Sequence, residues 1–179
     1  RHGVARDARL ASRGQLVARA LRATSVEELH QQLRALGPRD YNPFHLLYAD
    51  AAGHAGLTFS DGRSVQQRRL APGLHVLTER SLGAGEDGAR AARAEGLWNG
   101  RAGPLPLLVW ADVLRVHGED NPRDGTCLHA PALGYGTRSS FLLQLPSADS
   151  PGRCAWTVGP PCTSPLVDGT AVLHEVLGC

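Results

Sequence analysis

The chain has 179 residues, 42% of them hydrophobic and 20% charged, with a formal net charge of +2. That length and balance fit one globular domain spanning residues 1–179 with a core of its own, and they exclude a disordered chain. The small net charge argues against a nucleic-acid or anionic-membrane binder, and no apolar run approaches the roughly 18 residues that a membrane-spanning helix needs.

Ser12 is placed to cap a helix beginning at Arg13, with Leu16, Val17, Ala20 and Leu21 on one face. A second helix follows: Ser25 and Glu28 have capping-box spacing, Val26, Leu29, Leu33 and Leu36 form its apolar stripe, and Gly37-Pro38 ends it. The period then changes. Residues 44–49 read as a buried strand, 55–59 as a second, 65–70 as an exposed or edge strand, and 74–77 as a fourth. Turn signals at Ala51-Ala52-Gly53, Asp61-Gly62 and Pro72-Gly73 link them into an antiparallel meander. A helix is predicted over 87–98, and Pro106 starts another in which Leu107 through Val116 supply buried positions. Residues 127–129, 140–145 and 153–158 read as strands. Gly159-Pro160-Pro161 breaks the last, and 167–177 fits strand and helix alike. The order of elements predicts an α+β fold, with helices on antiparallel sheet.

All nineteen basic residues are arginine, and lysine, isoleucine and methionine are absent. That bias matches a GC-rich, bacterial-type coding sequence, and it removes lysine Schiff-base and P-loop chemistry from these residues. The chain opens at Arg1, so it reads as a processed product or a fragment of a longer protein. Cys127, Cys154, Cys162 and Cys179 include no Cys-x-x-Cys pair, which predicts free thiols and a reducing, cytoplasmic setting.

The segment Gly134-Tyr135-Gly136-Thr137-Arg138-Ser139-Ser140 is the most informative stretch. Its glycines permit positive φ and close backbone approach, and Arg138 offers a planar fork of donors suited to a carboxylate or phosphate. The same arginine also suits a structural ion pair. Cys127 and His129 lie two apart on one strand, hence on one face; they read either as a thiol and its base or as ordinary core residues. Cys127, His129, Cys154 and Cys162 can be drawn as a zinc set, but their spacing matches no standard module, so no metal is expected. Of eight histidines, only His45, His75 and His129 fall within predicted strands. Neither His-Glu-x-x-His nor Gly-x-Ser-x-Gly occurs.

Five stretches stand in a telling order: Ser12-Arg13-Gly14-Gln15-Leu16-Val17; Tyr41-Asn42-Pro43-Phe44-His45-Leu46; Pro72-Gly73-Leu74-His75-Val76-Leu77-Thr78-Glu79; Cys127-Leu128-His129; and Gly134 to Ser140. Together they resemble the NRDE family, which includes the transport and Golgi organisation protein 2 homologues. The resemblance implies an N-terminal-nucleophile hydrolase-like αββα sandwich, here without its first strands. It also implies a cysteine nucleophile that this chain does not begin with. Arg1 carries no thiol or hydroxyl, so no catalytic residue is expected in these residues. Glu79 stands where related hydrolases place an asparagine, and a carboxylate there would repel an oxyanion.

The resemblance implies a protein that binds or traffics a small anionic ligand, of haem or lipid/acyl-CoA type. The implied ligand residues are Arg138, Gly134, Tyr135, Gly136, Thr137, Glu79, His75 and His129, with haem as the candidate cofactor and no metal. The alternatives are a C–N amidohydrolase whose cysteine precedes Arg1, and a structural or interaction domain without ligand. Exposed sheet edges would let copies of the chain pair with one another.

Overall fold

The computed structural model describes residues 6–78, 88–98, 106–119, 121–147 and 150–177. They form a mixed α+β structure with three small antiparallel sheets and five helices, and the chain divides into two compact units, Arg1–Gly73 and Leu74–Cys179.

The first unit starts with helices α1 (Arg13–Ala20) and α2 (Val26–Arg34). Ser12 caps α1 in a full capping box: its hydroxyl accepts from Gly14 N, and Gln15 Oε1 accepts from Ser12 N. At α2 the expected box is only half formed. Ser25 Oγ accepts from Glu28 N at 3.2 Å, but the Glu28 carboxylate turns to Thr24, taking its amide and its hydroxyl, both at 2.8 Å. The Asp50 carboxylate adds a bond from Val26 N at 3.2 Å. Two freed donors of the first turn, Val26 N and Glu28 N, are therefore met by the Asp50 and Ser25 side chains, and the carboxylates of Asp50 and Glu28 are both favoured at a helix N-terminus.

These helices cover one face of a sheet ordered β1 (Phe44–Ala49), β2 (Ala55–Ser60), β3 (Val65–Leu70). Register pairs Phe44 with Ser60, Tyr48 with Gly56, and Thr58 with Gln67. The β2–β3 turn takes the predicted form: Gly62 has φ +85, and Asp61 Oδ1 accepts from the amides of Arg63 and Ser64. Leu16, Val26, Leu29, Leu33, Leu36, Tyr41, Phe44 and Tyr48 form the core of the unit. The segment 74–77, expected as a fourth strand, is irregular, with only Leu77 forming a bridge. Its apolar alternation is real, but a strand exists only where a ladder partner meets it.

In the second unit, α3 (Gly88–Trp98) turns Ala91 and Ala94 inward. Helix α4 (Leu107–Leu114) follows Pro106 and stops short of Val116, whose carbonyl accepts from Cys127 N at 2.9 Å. A two-residue hairpin, β4 (His129–Ala130) with β5 (Tyr135–Gly136), precedes a sheet ordered β6 (Phe141–Gln144), β7 (Arg153–Thr157), β8 (Leu166–Asp168). Helix α4 lies against β6, and α5 (Thr170–Leu177) against β7.

The ambiguous stretch 167–177 resolves at Gly169. A Cβ there would fall 1.7 Å from Trp156 Cζ3, so only glycine lets the chain leave β8 over that ring. Asp168 Oδ1 then accepts from Thr170 N and starts the helix. Among the described residues, no helix is long and apolar enough to cross a membrane.

Candidate functional site

Of the strand expected at residues 127–129 only His129 lies in a strand, β4, which pairs at His129 and Ala130 and ends there because Pro131 has no amide to continue the ladder and opens a 3₁₀ turn instead. Gly134 closes that turn at φ +58. Gly136 then passes so near the opposing strand that a Cβ would lie 3.0 Å from the Leu128 carbonyl oxygen. Thr137 extends the pairing: its amide donates to Leu128 O at 2.8 Å, and its hydroxyl accepts from Leu128 N at 3.0 Å. Three residues on, Ser140 is fixed to Thr157, with Ser140 N donating to Thr157 Oγ1 at 3.0 Å and Thr157 N donating to Ser140 O at 3.0 Å.

Arg138 sits between those two anchors. It is exposed, and among the described residues it has no hydrogen-bond or ion-pair partner, so the structural ion pair weighed for it is not made to any of them. Large apolar side chains stand exposed on the flanking residues: Leu133 at 71%, Tyr135 at 59% and Phe141 at 58% of their full surface.

A second constellation adjoins the hairpin. His117, Cys127, His129 and Cys162 each offer one donor atom, and all four atoms lie within 4.8 Å of one another. Cys127 Sγ lies 3.4 Å from His129 Nε2, and Cys162 Sγ lies 3.2 Å from the same nitrogen. The His117 and His129 rings stack at 5.0 Å. Burial, with Cys162 as neighbour, pushes the Cys127 thiol above its usual range. Cys127 and His129 thus share a face as their spacing predicts.

Cys154 does not join them. It is buried in β7 opposite Leu143, its amide donating to Thr170 Oγ1. His117 replaces it, from the loop after α4, a residue that the sequence reading placed outside any strand.

Of the residues singled out from sequence, Gly134, Tyr135, Gly136, Thr137, Arg138 and His129 come together on the hairpin and its exit. His75 is exposed in the irregular segment after the first unit. Glu79 and Arg1 lie outside the described residues.

The sequence reading missed a buried polar network in the first unit. His30 Nδ1 meets the Tyr48 hydroxyl at 2.5 Å, Tyr48 meets Thr58 Oγ1 at 3.2 Å, and Gln67 Nε2 donates to Thr58 Oγ1 and to His30 O. Burial lowers the His30 pKa and raises that of Tyr48. The available signal was His30 on the apolar stripe of α2, one position after Leu29.

The family model described as Transport and Golgi organisation 2 matches residues 2–95. That span takes in the first unit and ends within α3; the resemblance at residues 127–140 lies beyond it. No curated protein and no solved structure matches the chain.

Proposed function

The chain belongs to the Transport and Golgi organisation 2 family, and from that premise we propose that it binds or traffics a small anionic ligand with an apolar body, of the haem or acyl-CoA class. Arg138 receives the acid group, Tyr135 and Phe141 cover part of the apolar body, and the Gly134–Thr137 backbone sets the shape between them. The carrying observation is that Arg138 is exposed and without a partner among the described residues, while the backbone on either side of it is fixed through Thr137 and Ser140. A guanidinium held at a known place and left open is prepaid for a carboxylate or phosphate.

We also infer the αββα sandwich for the family member as a whole. The β1–β3 sheet carries its helices on the Tyr48 and Thr58 face, and sets His45, Leu47, Leu57 and Phe59 on the other. A sandwich buries such a face against a second sheet.

Titration with hemin, followed by Soret absorbance, and with a long-chain acyl-CoA, followed by tryptophan fluorescence, tests the ligand reading. Saturable binding of one of them is expected. Arg138→Ala should weaken it about tenfold or more, since hydrogen bonds to charged groups contribute about 1.5–3 kcal/mol. Absence of saturable binding to both, or equal binding by wild type and Arg138→Ala, removes the proposal.

A further inference from the structure

Independently of any ligand at Arg138, we propose that His117, Cys127, His129 and Cys162 form a closed, structural zinc(II) site that pins α4, the β4–β5 hairpin and the Pro160-Pro161 turn together. Two nitrogens and two sulfurs are the donor set that zinc takes in tetrahedral Cys₂His₂ sites, and thiolate sulfur disfavours magnesium and calcium.

Two edges of the cluster fit before any metal enters. With zinc–sulfur bonds of about 2.3 Å and zinc–nitrogen bonds of about 2.0–2.1 Å, a tetrahedron places sulfur and nitrogen about 3.5 Å apart. Both sulfur–nitrogen separations at His129, 3.4 and 3.2 Å, meet that edge length, and no pair of the four donor atoms exceeds 4.8 Å.

Hydrogen bonding alone does not account for the cluster. His129 Nε2 has one lone pair or one N–H, so it serves one good hydrogen bond, yet it faces two sulfurs at nearly equal distance. A cation among the four donor atoms engages both sulfurs and both rings.

The donors come from separate segments, and each segment is braced. Cys127 N donates to Val116 O at 2.9 Å, which fixes Cys127 beside His117. Between them, Gly125 returns so close to Gly118 that a Cβ on Gly125 would lie 2.5 Å from Gly118 N. Arg115 Nε donates to Pro161 O at 3.2 Å, tying the end of α4 to the residue before Cys162. The Thr137–Leu128 pair holds the strand that carries Cys127 and His129. Sites with such supported ligands keep their geometry when the metal binds.

Zinc content of the full chain, purified under reducing conditions without a metal-affinity step, is the test, together with cobalt(II) substitution. One zinc per chain is expected. Cobalt(II) should give the intense visible bands of a tetrahedral centre and a thiolate charge-transfer band in the near ultraviolet. Cys162→Ser and His117→Ala should lose both signals, whereas Cys154→Ser, outside the cluster, should keep them. The wild-type cobalt spectrum does not depend on any variant folding. Reduced, folded protein with neither zinc nor a cobalt spectrum overturns the proposal, as does metal retained equally in Cys162→Ser and His117→Ala. An intact mass lower by two hydrogens, without metal, would make the pair a disulfide instead and overturn it as well.

Discussion

Thr137 and Leu128 are bonded to each other twice, once through their backbones at 2.8 Å and once from the Leu128 amide to the Thr137 hydroxyl at 3.0 Å. The segment that reads from sequence as a ligand turn is thus also the clamp on the strand carrying Cys127 and His129. Thr137→Val keeps the shape and the backbone bond but strands the amide of Leu128, which is buried. An unsatisfied buried donor costs about 1–3 kcal/mol. Urea denaturation should show that loss for Thr137→Val and little change for Thr137→Ser; equal stability of all three proteins would refute the clamp.

What the sequence made legible follows from the range of the interactions. Ser12 and Ser25 were readable as caps because a cap bonds within its own turn. Asp61-Gly62 was readable because its turn satisfies itself locally. Glu28 illustrates the limit: its spacing from Ser25 suits a capping box, yet Thr24 offers it two donors and wins. Of the four-donor cluster, Cys127, His129 and Cys162 could be drawn together from sequence, although Cys162 lies 33 positions after His129, whereas His117, in the loop after α4, could not be. Only the β6–β7 register, which places Cys154 opposite Leu143, removes Cys154 from the set.

His30 makes stability depend on pH with a definite sign. Its pKa is lowered in the folded protein by burial, with Arg34 acting in the same direction, from an unfolded value of 6.5. Below 6.5 the unfolded chain binds a proton there more readily than the folded one, so stability is retained above that pH and falls as pH drops toward the folded value. Urea midpoints measured between about pH 7.5 and about pH 5 should decline, and His30→Gln should flatten the decline. His45, also lowered by burial, leaves a residual slope of the same sign. An identical slope in His30→Gln would exclude His30 as a source.

Gly56 lies under the ring of Tyr48, its register partner. Replacing a strand glycine with alanine ordinarily favours the strand, because glycine loses the most backbone freedom on folding. Here the added Cβ would come 2.5 Å from Tyr48 Cε2 and 2.7 Å from Cζ. The ring cannot swing aside without breaking its bonds to His30 and Thr58, so the steric cost wins. Gly56→Ala should destabilise by about 1–3 kcal/mol, the usual penalty for overpacking. Tyr48→Leu in the same chain should make the alanine less harmful than it is alone, a coupling that a double-mutant cycle measures. Additive effects would mean that the ring is not the obstacle.

Asn42 mimics a backbone partner for a distant stretch of chain. Its Oδ1 accepts from Asp7 N at 2.9 Å and its Nδ2 donates to Asp7 O at 2.9 Å, while Ala11 N donates to Asp40 O nearby. The side chain is nearly buried, so neither Asp7 group has water as an easy substitute. Asn42→Ala removes both bonds and should cost about 1–3 kcal/mol. Asn42→Asp is the sharper variant: it preserves the acceptor for Asp7 N but sets a carboxylate oxygen against the Asp7 carbonyl, exchanging an attraction for a repulsion at nearly constant volume. It should therefore destabilise at least as much as alanine. Hydrogen exchange locates the effect, with the amides of Asp7 and Ala11 expected to lose protection in both variants. The amides of β2 should exchange as in the wild type, since their ladder does not involve Asn42. Unchanged protection at Asp7 and Ala11 would show that the N-terminal stretch is held by something other than this side chain.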